Sequence, residues 1–583
     1  MHRQAVLILV FIVLLTFGNS LSHDFVGDDY VVIVDNSFYA SWANFPKLFS
    51  RASITESDDV FNKKEYFHTG STAYRPVLSA SFFVDYGLWQ RNPLGYHLHN
   101  VLLHTANALL VYFMVFSILQ NASLSLWSAV LFAVHPLQTE AVCAIGYRAD
   151  SLACFFLLAA FLSYIKIPEC QGARRGILIL CSHAAFGLAA FAKESAVVFV
   201  ALLMAFDGLI RGERTRDILR GAGGRYAGFV LISVFYLYVY FYVFRNSTLD
   251  NARLLGGTWV THAVTVVQIF ARYLTAFLLP FSVKTLPPLY APPIENYGGC
   301  GTWLSLLACG LFVFVLRRAC RRQKTIAFFL LWFLISFMPV SNIIPLVNPM
   351  AYRFMYLPSV GFLTALGIGL DKAGAFLDRL FRDVRLGRMM KGGWAVLCMA
   401  MTFSLNAAWK NNFVMASFMV RDFPNHPHGY LHLGTEYFRR GAVDRAAEVL
   451  QKGFEKGLND PSAYYFMGLC YRNDFERAKP YYEKSIRLFP FYALSYVGMG
   501  RIYVLQQNYQ EAIPYLERAL ELVPSYSAYG YLIQSYLHLN RGEEARAAYE
   551  KAEKALTAGP QLDSLKKFIK EGKDLQAPVD IGI

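Results

Sequence analysis

The sequence predicts an all-α protein in two parts: a polytopic membrane helical bundle of about eleven transmembrane helices, then a helical-hairpin α-solenoid. Three observations predict it. Residues 1–410 carry a succession of apolar segments, each roughly 16 to 22 residues long and so able to cross ~30 Å of hydrocarbon. The 583-residue chain is 55% hydrophobic and only 16% charged, far from a soluble average. Between residues 427 and 558, small and aromatic residues recur with a period of 32 to 34.

The eleven expected spans lie near 5–18, 99–118, 126–142, 149–165, 176–191, 195–210, 226–244, 302–317, 325–342, 352–371 and 393–409. The net charge of +14 first suggests a nucleic-acid ligand, but its distribution argues against one. Basic residues gather in short stretches between spans: Arg211 to Arg225, Arg317 to Lys324, and Lys372 to Lys391. Such clusters fix orientation by the positive-inside rule. With His2 and Arg3 cytoplasmic, the loop at 19–98 and everything after 410 face outward. Residues 258–282 are apolar enough to cross, yet an extra crossing would reverse the arm. Thr261, His262 and Arg272 make this stretch re-entrant or interfacial in the expected topology.

Ala5 to Phe17 reads either as an uncleaved anchor, the preferred reading, or as the apolar region of a signal peptide. Nine cysteines without a CxxC pair argue against a disulfide or zinc framework. The arm, 425–558, holds about four tetratricopeptide-type repeats. Their marks are Leu433, Gly434, Tyr437 and Ala446; Met467, Gly468, Tyr471 and Ala478; Met499, Gly500, Tyr503 and Ala512; and Leu532, Ile533, Tyr536 and Ala545. Residues 559–583 supply a capping helix, with Leu562, Leu565, Phe568 and Ile569 on one face, and a tail. Repeats of this kind present a groove for peptide or protein.

Chemistry has to come from the membrane part, whose polar residues collect on the outward side. Asp28 and Asp29 follow the first span and suit a general base, although adjacent carboxylates also cap turns. They are hard oxygen donors as well, which admits a divalent cation, Mg or Mn, as a possible cofactor. Tyr74, Arg75, His97, Asn100, His104, His135, Glu140, Arg148, Lys193, Glu194, Asn342, Arg353 and Tyr356 stand on the same side. Ionisable groups at membrane depth are expensive and default to function, though His104 alone reads equally well as an interhelical hydrogen bond. Arginine and lysine together suit a lipid phosphate.

Several runs resemble the transmembrane and tetratricopeptide-repeat O-mannosyltransferases. They are Tyr74-Arg75-Pro76, Tyr96 to His104, Phe132 to Val142 with Gly146 to Asp150, Lys193-Glu194, and Pro339 to Asn342 with Arg353 to Ser359. The likeness runs along nearly the whole chain in one order. It implies a GT-C glycosyltransferase domain over 1–410, moving a sugar, usually mannose, from a polyprenyl-phosphate donor to an acceptor outside the cytoplasm. By resemblance, Asp29 or Asp28 would be the base, and Arg353, with Arg148, Lys193 and Arg75, would bind the donor phosphate. His135, Glu140, Glu194, Asn342, Tyr356, His97 and Asn100 would line the cavity.

Partners implied are the lipid donor, the bilayer and a protein acceptor in the repeat groove, with no nucleic acid. The expected setting is a bacterial inner membrane with the arm in the periplasm, or the endoplasmic reticulum with the arm in the lumen. The arm has fewer repeats than animal members of that family, and Glu56, Asp58 and Asp59 match none of its motifs. Two other classes remain open at this stage: a polysaccharide ligase or polymerase, and a non-catalytic scaffold for envelope proteins.

Overall fold

The computed structural model describes residues 2–50, 73–221, 224–244, 254–285, 299–381, 386–556 and 560–571. Glu56, Asp58 and Asp59 lie outside them. The described residues are helical, with no strand among them. The described residues fall into two compact units, one up to Met415 and one from Ala416 onward.

Among the described residues of the first unit, six helices are long and apolar enough to cross a bilayer: His2–Ser22, Pro93–Leu119, Ile145–Glu169, Gly172–Ala192, Cys300–Arg322 and Tyr352–Leu380. The chain is a multi-pass membrane protein. Helix breakers divide two of the expected spans. The expected span at 126–142 is the helix Ala122–Val134, after which His135 caps a 3₁₀ turn at Pro136–Gln138 and a short helix Thr139–Cys143 follows. Pro136 has no N–H to continue the ladder. The expected span at 195–210 likewise divides into a 3₁₀ turn Glu194–Val198 and the helix Phe199–Leu209. Shorter apolar helices also stand at Ala227–Val243 and Lys324–Val340.

Two boundaries shift with consequences for the site. The helix expected from residue 99 begins at Pro93, with Asn92 accepting from the Leu94 N–H, so His97 and Asn100 sit on a helix facing the bundle. The stretch expected to be re-entrant is one continuous helix, Trp259–Leu278, started by a Thr258/Thr261 capping box. His262 on it meets the Asn342 carbonyl at 2.7 Å.

The arm stacks four helical hairpins: Pro427–Arg439 with Val443–Glu455, Pro461–Cys470 with Phe475–Leu488, Ala493–Leu505 with Tyr509–Leu522, and Tyr526–His538 with Gly542–Ala555. Close approach of the paired helices explains the recurrent small residues. A Cβ at Gly434 would lie 2.7 Å from Leu450, at Gly468 2.6 Å from Tyr482, and at Gly500 2.5 Å from Leu516. Ala446, Ala478, Ala512 and Ala545 are fully buried at the matching positions of the second helices. The capping helix Pro560–Glu571 buries Leu562 and Leu565 against the last hairpin.

Candidate active site

The first loop turns sharply after the His2–Ser22 helix. Gly27 adopts φ +57°, a backbone state that disfavours side chains, and its N–H donates to Asn412 Oδ1 at 2.8 Å. This turn separates the fates of the two carboxylates that follow. Asp29 points inward and is buried, its Oδ2 accepting from Val26 N–H at 3.0 Å and its Oδ1 from Gly146 N–H at 2.7 Å. Asp28 is exposed, and its Oδ2 accepts from the Tyr147 hydroxyl at 3.0 Å. Burial, reinforced by the neighbouring Asp28 charge, lifts the Asp29 carboxyl to about 7 against the opposing pull of the Val26 and Gly146 amides.

Tyr147 closes the short 3₁₀ turn Ile145–Tyr147 that precedes the helix Ala149–Lys166. On its ring face lies the Arg353 guanidinium, 3.8 Å from the centroid. Arg353 stands in the turn Tyr352–Met355 that opens the helix Tyr356–Leu380. Glu140 holds it twice, accepting its backbone N–H at 3.0 Å and pairing with Nη1. That leaves guanidinium N–H groups beyond the Glu140 pair, since the fork carries five donors.

Phe354 extends the cluster, with Arg353 and Lys193 each 5.2 Å from its ring centroid. Lys193 pairs with Asp150 at 2.5 Å. The next residue, Glu194, accepts two bonds from Arg75, at 2.8 and 3.1 Å. Burial would raise the Glu194 carboxyl, but the Arg75 and Lys193 charges hold it down at about 2. Asp28, Asp29, Glu140 and Arg353 therefore come together around Tyr147, with Lys193, Arg75 and Glu194 on its flank.

The remaining expected site residues find hydrogen-bond partners away from Tyr147. Arg148, expected at the donor phosphate, has its partners within the bundle. It is wholly buried and pairs with Asp85 at 2.5 Å. It also donates to Asn100 Oδ1, Ser81 and the Tyr96 carbonyl, and lies over the Phe82 ring. Asn100 completes that knot by donating to the Val142 carbonyl. His97 faces the Asp24 carbonyl. His135 accepts from Leu137 N–H and lies against the Phe277 carbonyl. The Tyr356 hydroxyl ties His104 to Asn107, so His104 is an interhelical bond. Asn342, at φ +60°, donates to the Pro349 carbonyl and closes its own loop. None of these lines the Tyr147 cluster.

Sequence reading gave no role to Tyr147, Phe354 or Asp85. Tyr147 and Phe354 lie inside the runs Gly146 to Asp150 and Arg353 to Ser359, so their neighbours were visible signals. Asp85 carried its own signal, an acid in the otherwise apolar helix Pro76–Trp89.

The tetratricopeptide-repeat family matches residues 466–527 and 497–562. The human Protein O-mannosyl-transferase TMTC3 is 24% identical over 508 residues, covering 81% of this chain and 53% of that protein. Protein O-mannosyl-transferase F38B6.6 of Caenorhabditis elegans is 25% identical over 438 residues, 73% of this chain and 59% of its own. A shorter stretch of 156 residues, 26% of this chain and 15% of the relative, is 38% identical to mouse Protein O-mannosyl-transferase TMTC1. The chain spans about half the length of the human relative it matches.

Proposed function

We propose that this chain is a membrane glycosyltransferase that moves a sugar, mannose by its similarity to those relatives, from a polyprenyl-phosphate donor to a hydroxyl group of a protein acceptor. One observation carries the reading: an exposed carboxylate and an arginine with free donors meet across a single tyrosine ring. A base and a phosphate-holding cation are the two groups that displacement at a sugar phosphate needs. Asp28, rather than Asp29, takes the base role because an acceptor hydroxyl can reach it. Asp29 is enclosed and committed to backbone amides, and acts by fastening the loop to Gly146.

In the proposed step the acceptor oxygen attacks the anomeric carbon and its proton passes to Asp28. The bond from that carbon to the phosphate oxygen breaks, and polyprenyl phosphate leaves with the electron pair. Arg353 neutralises the departing phosphate, with Lys193 beside it; fixed charge of this kind replaces a general acid. Attack opposite the leaving group inverts the anomeric centre. The apolar exterior presents the donor's lipid chain, and the repeat arm offers a groove for the acceptor on the extracytoplasmic side.

A divalent ion fits this geometry poorly. Among the described residues no group of three His, Cys, Asp or Glu is placed to hold a metal. Asp29 has both oxygens on backbone amides, so the step is written without Mg or Mn.

The test is transfer of radiolabelled mannose from its polyprenyl phosphate to Ser/Thr peptides by purified protein. Asp28→Asn is expected to lower the rate ~10²- to 10⁴-fold while leaving the fold intact. An unlabelled peptide with every polyprenyl-phosphate sugar would end the proposal in favour of a scaffold.

A further inference from the structure

Three consecutive residues, Gly146, Tyr147 and Arg148, point three ways. The Gly146 amide takes Asp29, and a Cβ there would come within 3.2 Å of that carboxylate. Arg148 turns into the bundle toward Asp85. Tyr147 turns to the open side, half-buried, with two different polar groups on one ring. Other tyrosine hydroxyls of this unit find partners inside the bundle, Tyr96 at the Gln90 carbonyl and Tyr164 at the buried Asp207. The Tyr147 hydroxyl instead goes to an exposed carboxylate 119 residues away in sequence.

Resting on the sugar-transfer reading, we infer that Tyr147 is the positioning residue that sets the distance between the base and the phosphate-holding cation. Its O–H donates to Asp28 Oδ2 at 3.0 Å, which orients one carboxylate oxygen and leaves the other free for an acceptor. Its ring face carries the Arg353 guanidinium at 3.8 Å, and Glu140 restrains that group in the ring plane's neighbourhood. These contacts in series hold the carboxylate and the guanidinium carbon within about 10 Å of each other. Inverting glycosidases, which likewise admit an attacking oxygen between two groups, space their two carboxyls at roughly 6.5 to 9.5 Å, a comparable scale. Because one rigid side chain makes both contacts, base and cation move together.

The two contacts belong to different atoms, so substitutions separate them. Tyr147→Phe removes the hydroxyl and keeps the ring. It is expected to lower kcat about ten- to a hundredfold, the loss of a hydrogen bond to a charged group, with donor KM within about twofold of wild type. Tyr147→Ala removes the ring as well and adds a rise in donor KM of about tenfold, the loss of a desolvated cation–aromatic contact. Binding of sugar-free polyprenyl phosphate to protein in detergent should weaken by the same factor in Tyr147→Ala and stay unchanged in Tyr147→Phe. Wild-type kcat in Tyr147→Phe, or equal loss of kcat and donor binding in both variants, overturns the inference.

Should wild-type protein transfer no sugar, the parent reading falls and lipid-phosphate binding alone decides. A roughly tenfold loss confined to Tyr147→Ala supports the cation-positioning half, whereas equal binding by all three proteins overturns it.

Discussion

Arg148 and Arg353 are both buried arginines on the same unit, yet their donors are used differently. Arg148, 0% exposed, has its donors taken by Asp85, Asn100, Ser81 and the Tyr96 carbonyl, and its face covered by Phe82. Arg353, 8% exposed, is held by one carboxylate and an aromatic face, with donors left over. The difference teaches that a buried arginine is read from what its fork still lacks. A satisfied guanidinium specifies how helices meet; one held from behind can receive an anion.

The comparison breaks most visibly at Arg353. Arg353→Ala should cut transfer by on the order of 10³-fold, the scale of losing a charge aimed at a leaving group. It should also destabilise the unit, because Glu140 loses its ionic partner at 2% exposure. Arg353→Lys keeps the charge but lacks the flat fork that stacks on Tyr147, and it should recover only part of the rate. A rate near wild type in Arg353→Ala would put the donor phosphate elsewhere.

Arg148 gives the converse. Arg148→Ala leaves Asp85 buried with only the His99 imidazole beside it, and breaking such a buried arginine pair costs about 3 to 5 kcal/mol. The double variant Arg148→Met with Asp85→Leu removes both charges and should restore most of the thermal stability. Transfer per folded molecule should then lie within a fewfold of wild type. If the double variant melts like the parent yet transfers nothing, Arg148 belongs to the donor site after all.

What the sequence revealed follows the range of the interactions involved. Arm periodicity is local: Gly434, Gly468 and Gly500 recur because each hairpin repeats the same close contact, and the substitution of Ile533 at the fourth position is visible too. The polar residues of the membrane part were visible as types, because charge at depth is rare. Their pairing was not, because Asp85–Arg148 and Glu140–Arg353 join residues 63 and 213 positions apart. Choosing between Asp28 and Asp29 hinged on the turn at Gly27, which sends neighbours to opposite sides. Tyr147 was hidden by its neighbour Arg148, whose charge drew the phosphate reading. Breaks inside the expected spans were hidden for a different reason: Pro136 interrupts an apolar run that remains apolar on either side.

The smallest effect concerns the same division drawn inside the acidic pair. Asp29 has its folded value raised by burial from the ordinary 3.8 to about 7. A carboxyl raised in this way favours the folded state when protonated, so its contribution is complete below about pH 4 and is lost as pH climbs through 7. Melting of the purified protein should therefore fall from pH 5 to pH 8 by an increment that Asp29→Asn abolishes, since an amide does not titrate. Asp28→Asn works on the same slope from outside. Removing the neighbouring charge lowers the Asp29 value, which moves the fall in stability to lower pH without changing its sign. A melting curve equally flat in wild type and Asp29→Asn would mean that Asp29 is solvated, and the buried-fastener and exposed-base assignments would have to be exchanged.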